Sequence, residues 1–108
     1  MTVDFLEQVE SFSLVNRGDE LRPVEGIYCG DLLSMVMGRA LENQLWITVM
    51  GNVNAIAVAV LTDVSAILLA EGCQLDEEAQ SRAKSQGIWV FSTDLPTYEA
   101  SMLVAEFI

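Results

Sequence analysis

The clearest pattern of apolar and polar positions lies in residues 45–63, near the middle of the chain. Residues 45–50 read Leu-Trp-Ile-Thr-Val-Met, a β-branched and aromatic composition typical of a strand. Residues 51–54, Gly-Asn-Val-Asn, are turn formers that can also cap a helix, and the apolar run at 55–61 contains neither Gly nor Pro. This order predicts a strand, a turn and then a buried helix.

The alternation of strands and helices continues along the chain. Further strands are predicted at 12–15, 24–29, 66–70 and 88–91, and helices at the N-terminus, after Gly30, after Asp76 and after Pro96. Strict alternation predicts an α/β fold with a mostly parallel sheet of about five strands, right-handed crossovers and helices on both faces. We expect a single three-layer α/β/α domain over residues 1–108, in which 1–21 form an N-terminal helix and strand and 22–108 form the alternating core.

Polar residues at the predicted helix ends are candidate caps. Thr2, Asp31 and Asp76 are predicted N-caps, and Gly87 is predicted to end the helix that follows Asp76. The helix after Asp31 carries an apolar stripe wider than one contact with a sheet requires, so we expect a second buried contact there. That stripe comprises Leu33, Val36, Met37, Ala40 and Leu41, with Leu32 and Met35 on an adjoining face.

Three other sets of apolar residues are predicted to face the core. They are Phe5, Leu6 and Val9 in the N-terminal helix, Met102, Leu103, Phe107 and Ile108 in the last helix, and the strand residues Trp46 and Trp89.

The composition excludes several classes of function. Sixteen acidic and five basic residues give a net charge of −11, which repels phosphate backbones and anionic lipid surfaces. The chain has no histidine, so it lacks the usual general base and the commonest zinc ligand. We therefore expect no nucleic-acid partner, no histidine-based triad and no metal or other cofactor.

The hydrophobic fraction is high for a chain of this size. It reaches 52% of 108 residues, with a mean hydropathy of +0.38. The longest apolar stretch, residues 45–61, is interrupted by 51–54 and falls short of the roughly 20 residues that a bilayer requires. The acidic N-terminus does not resemble a signal peptide. We predict a cytoplasmic protein without membrane attachment that uses some apolar surface to contact a partner.

The two cysteines, Cys29 and Cys73, lie far apart in sequence and form no C-x-x-C motif. The simplest interpretation is a pair of reduced thiols near strand ends. A redox pair or a cluster ligand remains an alternative.

The predicted sheet has one edge suited to a ligand. In open parallel sheets, ligands bind outside the carboxyl ends of the strands, beside helix N-termini whose N–H groups suit anions or polar molecules. For each residue there the alternative is ordinary turn and cap duty. The candidate ligand-binding residues are Gly30, Asp31, Gly51, Asn52, Asn54, Glu71, Gly72, Ser92 and Thr93.

Several segments together resemble the DRTGG domain family. They are residues 24–34 (VEGIYCGDLLS), 45–49 (LWITV), 57–59 (AVA), 75–77 (LDE) and 93–99 (TDLPTYE). The chain departs from the family's naming motif: 51–53 read Gly-Asn-Val in place of Gly-Asp-Arg, and 70–72 read Ala-Glu-Gly in place of Thr-Gly-Gly.

The family is similar to the N-terminal domain of HPr kinase/phosphorylase and to a middle domain of some phosphotransacetylases, and it also accompanies CBS pairs. The resemblance implies a three-layer α/β/α fold and a regulatory or oligomer-forming domain. It also implies a fermentative or redox setting, because small members are often encoded near iron-only hydrogenases.

Two hypotheses of function follow. The first is a non-catalytic regulatory and interaction domain that forms a homodimer through the helix at 32–41 and the last helix, with a metabolic or redox enzyme as a possible partner. The second is a sensor of a small ligand, a nucleotide or an acyl phosphate, held at the carboxyl ends of the strands. An enzyme ranks below both, because no cluster with catalytic or metal-ligand spacing exists.

Overall fold

The computed structural model describes all residues 1–108 and contains a five-stranded sheet between two helical layers. The strand order is β1-β5-β4-β3-β2, with β1 antiparallel to β5 and the other pairs parallel. The predicted single α/β domain with a mostly parallel sheet is confirmed. The strands are β1 (Phe12–Asn16), β2 (Gly26–Cys29), β3 (Gln44–Thr48), β4 (Ala66–Leu69) and β5 (Val90–Thr93).

Helices cover both faces of the sheet. One core cluster joins the sheet to α1, α2 and α3, and a second joins it to an N-terminal 3₁₀-helix and α4. The three helices that connect parallel strands share one face because each successive strand is added on the same side of the last. The helices are the 3₁₀-helix Val3–Gln8, α1 (Leu33–Arg39), α2 (Val53–Thr62), α3 (Glu77–Gln86) and α4 (Thr97–Ala105).

The middle of the sheet is fully apolar, as a sheet covered on both faces requires. All four residues of β4 are buried, and Trp46 of β3 is fully buried. Trp89, directly before β5, is 3% exposed and stacks on Phe91 with ring centroids 6.1 Å apart. The prediction that both tryptophans belong to the core is confirmed.

The N-terminal helix differs from its prediction. Thr2 occupies the predicted N-cap position, but its hydroxyl donates a hydrogen bond to the Asp4 carboxylate and makes no side-chain cap bond. The helix is 3₁₀ and has three residues per turn, so Val3 and Leu6 share the buried face. Phe5 is only half-buried and packs against Phe107 at the other end of the chain.

The predicted core faces of α1 and α4 are only partly correct. In α1 only Val36 is fully buried, whereas Met37 and Leu41 are exposed. In α4 the residues that face the sheet are Ala100 and Val104. Leu103 is partly buried, but the expectation that Met102, Phe107 and Ile108 face the core is wrong, because all three are exposed.

The two caps of α3 are as predicted. Asp76 accepts a hydrogen bond from the Ala79 N–H, and Gly87 ends α3 in the left-handed conformation at φ 66°. Strand β5 begins two residues later than predicted and extends to Thr93. Two candidate site residues, Ser92 and Thr93, therefore lie in a strand.

Candidate functional site

The carboxyl edge of the sheet is held together by hydrogen bonds between successive loops. Asp31 makes the first link: its Oδ1 accepts from the Thr48 hydroxyl at 2.8 Å and from the Val49 N–H at 3.0 Å. The predicted N-cap role of Asp31 is wrong, because α1 begins after Leu32 and has no side-chain cap. The carboxylate serves the neighbouring loop because the buried Thr48 hydroxyl needs an acceptor.

Gly30, which precedes Asp31, has a structural role in the same loop. Its carbonyl accepts from the Trp46 indole N–H at 2.9 Å, and its own N–H donates to the Ile47 carbonyl at 3.2 Å. Both backbone groups of Gly30 are thereby used inside the protein.

Gly51 and Asn52 form the second link, between the loop after β3 and the loop after β4. The Gly51 carbonyl accepts from the Asp76 N–H at 2.8 Å, and the Asn52 side chain caps α2 by accepting from the Ala55 N–H at 3.0 Å. Asn54 follows in the first turn of α2, and it is exposed and has no hydrogen-bond partner.

Glu71 and Gly72 form the third link, between the loop after β4 and the loop after β5. The Glu71 N–H donates to the Leu95 carbonyl and the Gly72 N–H to the Thr93 carbonyl, both at 2.9 Å. Both residues have positive φ, 60° and 71°, which aims the two N–H groups at the neighbouring loop. The amides of these two candidate residues are therefore already used within the protein.

The last two candidates differ in their environment. The Thr93 hydroxyl donates to the Ser11 carbonyl at 2.9 Å and accepts from the Leu95 N–H at 3.2 Å, so its role is structural. Ser92 lies half-buried in a cavity of about 190 Å³ lined also by Val15, Gln74, Leu75 and Gln80. Among the candidate side chains only Asn54, Glu71 and Ser92 lack an intramolecular hydrogen bond, and they do not line a common cavity.

The Cys29 thiol at this edge has a raised pKa. Partial burial raises the pKa of the Cys29 thiol above 9.0, and the nearby Asp31 carboxylate raises that pKa further. A raised pKa keeps the thiol protonated at neutral pH and opposes its use as a nucleophile. Cys29 and Cys73 are both free thiols.

The opposite edge of the sheet contains a cavity of about 260 Å³ that the sequence did not indicate. The helices α2 and α3 both end beside it, at Asp63 and Gly87. Arg22 spans its rim and donates to Asp63 Oδ1 at 2.8 Å, to the Asp63 carbonyl at 2.9 Å and to Asn43 Oδ1 at 2.9 Å. Loop residues 17–22 precede β2, and no local pattern predicts where such a loop will pack.

The most unusual surface of the molecule lies on α1 and α2, and we call it the α1–α2 surface. Segments 32–41 and 52–62 contain no acidic residue and one basic residue, Arg39, although the whole chain carries sixteen acidic residues. Between 42% and 69% of each large apolar side chain on this surface is exposed. These side chains are Leu32, Met35, Met37, Leu41, Val60 and Leu61.

The structure contains neither a cluster of metal ligands nor a helix that could span a membrane. No group of three or more His, Cys, Asp or Glu side chains is placed to hold a metal ion. None of the helices has the length and apolar character needed to cross a membrane.

The fold and the hydrogen-bonded carboxyl edge define a small α/β domain whose loops hold one another in place. The family model of the DRTGG domain matches residues 4–107, so the chain belongs to the DRTGG family of regulatory domains. No curated protein is significantly similar to this chain in sequence.

One solved structure shares the fold over 95% of this chain, with a TM-score of 0.76 and 18% sequence identity. It contains the CBS and DRTGG domains of the regulatory region of Clostridium perfringens pyrophosphatase, complexed with the activator diadenosine tetraphosphate. This chain spans 45% of the length of that neighbour's chain.

Proposed function

We propose that this DRTGG domain is a non-catalytic regulatory domain that works as a homodimer joined through the α1–α2 surface. The observation that carries the proposal is the absence of acidic residues from a large exposed apolar surface on a protein of net charge −11. Two copies that approach through any other face bring carboxylates together, whereas this surface allows apolar contact with the least charge repulsion.

The composition of α2 supports self-association. Its ten residues include no charged side chain, and its outer side presents Ala57, Val60 and Leu61. The neighbouring α3 has the same length but carries Glu77, Glu78, Arg82 and Lys84 and presents a polar surface. Exposed apolar patches of this kind usually mark interaction sites.

The last helix is not part of the same contact. Helices α1 and α4 belong to core clusters on opposite faces of the sheet, so one flat interface cannot bury the outer sides of both. The sequence predicts an interface formed by α1 and α4. The interface proposed here is formed by α1 and the neighbouring α2, and it excludes α4.

Sedimentation velocity at micromolar concentration tests the dimer. The unmodified protein should sediment as a dimer, and Leu61→Glu should shift it to a monomer, because the substitution places a carboxylate in each copy of an apolar contact. The matched control is Ser81→Glu on the exposed side of α3, which adds the same charge and should leave the dimer intact. A monomeric unmodified protein, or equal effects of the two variants, would count against the proposal.

A second candidate function is a nucleotide sensor. It is favoured by the structural neighbour, whose regulatory region was crystallised with diadenosine tetraphosphate. Against it stand the net charge and the amide groups at the carboxyl edge that are already used in loop-to-loop bonds. An acyl phosphate is the other ligand that we would test, at the cavity lined by Ser92.

A thermal-shift titration separates the sensor from the interaction domain. A ligand at 100 times its Kd stabilises the native state by about 2.7 kcal/mol, which raises the unfolding midpoint measurably. We would titrate diadenosine tetraphosphate, ATP and acetyl phosphate. A shift with any of them that Ser92→Ala abolishes would support the sensor, and unchanged midpoints at millimolar ligand would exclude it.

The partner regulated by this domain is proposed to be a metabolic or redox enzyme in the cytoplasm. The neighbour's DRTGG domain belongs to the regulatory region of an enzyme, and enzyme control is the use that best fits a domain without catalytic groups.

A further inference from the structure

A second apolar surface lies on α4, on the other face of the sheet from the α1–α2 surface, and we call it the α4 groove. It is a groove of about 310 Å³ whose floor includes Leu95 and Leu103, both partly buried against the core. Tyr98 and Met102 form an exposed wall, with 67% and 50% of their surface accessible. Ser11, which lies just before β1, also lines the groove.

The carboxylates of α4 give this groove a charge pattern. Four residues at the spacing i, i+3, i+4 and i+7 share one side of the helix. They are Glu99, Met102, Leu103 and Glu106. An acidic residue lies at each end of the row and two apolar residues lie between them. Neither carboxylate has a hydrogen bond or an ion pair within the protein.

We propose that the α4 groove binds an amphipathic helical segment of a partner protein, one that carries apolar side chains flanked by Lys or Arg. The volume suits one or two apolar side chains, and helices commonly dock in such grooves through anchors at i, i+3, i+4 and i+7. Basic residues on either side of those anchors would meet Glu99 and Glu106, which fixes the register of the pairing.

A second copy of this chain is a poor occupant of the groove. The chain has five basic residues, and two of them, Arg17 and Arg22, are already paired with Glu7 and Asp63. A partner with the opposite charge pattern fits the row of carboxylates better. Because the groove lies on the opposite face from the α1–α2 surface, a homodimer leaves it open to a partner. The proposal therefore does not depend on the dimer.

The test is fluorescence anisotropy of the whole protein with three labelled 16-residue peptides. The first places Leu at helical spacing with Lys elsewhere, the second replaces Lys by Glu, and the third has the composition of the first in an order without helical spacing. We expect the first peptide to bind at least about tenfold more tightly than the third and the second to show no binding.

Variants locate the binding. Met102→Ser and the double variant Glu99→Gln/Glu106→Gln should each weaken binding of the first peptide by about tenfold. The matched controls are Leu21→Ser, at an exposed apolar residue in the loop before β2, and Glu77→Gln/Glu78→Gln on α3, which remove the same kinds of group and should change the affinity less than twofold. Near-ultraviolet circular dichroism would confirm that every variant is folded.

Three outcomes would overturn the proposal. The first is equal binding of the first and third peptides, which would indicate attraction to net charge alone. The second is an equal loss of affinity for the first peptide in the α3 variant Glu77→Gln/Glu78→Gln and the α4 variant Glu99→Gln/Glu106→Gln. The third is a change in the sedimentation of the protein itself on Met102→Ser, which would show that a second copy occupies the groove.

Discussion

Gly51 is the residue on which the hydrogen-bonded carboxyl edge most directly depends. A Cβ added there would overlap the carbonyl oxygen of Gln74 and lie 2.8 Å from its carbonyl carbon and 3.3 Å from the Leu75 Cα. All three are backbone atoms and cannot rotate away. Gly51 does not have positive φ, so the position requires space and not an unusual conformation.

Replacing Gly51 by Ala should lower the free energy of unfolding by about 3 kcal/mol, because the loops after β3 and β4 must move apart. The control is Gly38→Ala in α1, where an added Cβ meets nothing within 4 Å. That change should raise stability by about 0.5–1 kcal/mol, since alanine is the better helix former. Urea unfolding measures both, and a Gly51→Ala variant no less stable than the unmodified protein would show that the loops are free to separate.

Cys29 predicts a pH dependence. A thiol whose pKa is raised on folding contributes stability that is fully present below the unfolded pKa of 9.0 and is lost as the pH rises through the folded pKa. The free energy of unfolding should therefore decrease above about pH 9, and Cys29→Ser should remove the part of this decrease that the Cys29 thiol causes.

Alkylation kinetics in a Cys73→Ser background report the same pKa directly. The rate for Cys29 should rise at a higher pH than for a free cysteine, and Asp31→Asn should move the profile only part of the way back, because burial is the larger cause. A profile that coincides with that of free cysteine would contradict the assigned burial.

The sequence predicted where the loops of the candidate site lie but not what their side chains do. Cap prediction uses neighbouring residues, and it succeeded at Asp76 and within the segment 51–54, where the cap is Asn52. The partner of each cap is three residues away. Cap prediction failed at Asp31, whose partner Thr48 is 17 residues away. The hydroxyl of Thr93 likewise meets a carbonyl 82 residues away, so only the tertiary structure shows that it is already used.

At the scale of elements, α2 and α3 show how similar helices can differ in function. Each has ten residues, a side-chain cap at its start and a left-handed residue at its end. They differ in their outer sides, which are apolar in α2 and charged in α3. Local caps thus determine where these helices begin and end, and their outer residues determine which of them can meet a partner.

The Asn52 cap gives the element-scale prediction. Asn52→Ala should destabilise the protein by about 1 kcal/mol, because the Ala55 N–H loses its side-chain acceptor. Asn54→Ala, two residues later, removes an exposed side chain without a partner and should be neutral or slightly stabilising. Thermal unfolding of the two variants makes the comparison, and equal destabilisation would mean that Asn52 acts by something other than capping.

The core faces of α1 and α4 could not be predicted from apolar spacing alone. In α4 the small residues Ala100 and Val104 face the sheet, while the larger Met102, and Phe107 just beyond the helix, stay outside. Small residues allow a helix to lie close to a sheet. In the sequence, apolar residues that lie on an interaction surface cannot be distinguished from apolar residues of the core. The sequence therefore shows that the chain has more apolar residues than its core needs. It does not show which of these residues lie on the surface.

At the scale of the whole molecule, the net charge of −11 predicts that the two proposed contacts respond to salt in opposite directions. A dimer formed through the α1–α2 surface brings two negative bodies together without ion pairs, so salt should tighten it by screening repulsion. A basic segment in the α4 groove is attracted by the charge, so salt should weaken it.

Between about 10 and about 200 mM salt, where the screening length falls from about 30 Å to under 10 Å, the dimer Kd should fall and the Kd of the basic peptide should rise. Sedimentation equilibrium and fluorescence anisotropy in the same buffers give the two values. A dimer that dissociates as salt is added would mean that ion pairs hold it, contrary to the uncharged surface.

The antiparallel pairing of β1 with β5 joins the two ends of the sequence, and this has a consequence for synthesis on the ribosome. The contact between Ser11 and Thr93 spans 82 residues, which take about 4–16 s to translate at roughly 5–20 residues per second. During that interval the first strand to emerge has no place to pair, although β2, β3 and β4 can already assemble beside it. The first strand made is thus the last to be locked in, and a translational pause before β5 exposes an unpaired strand to mispairing with neighbouring nascent chains.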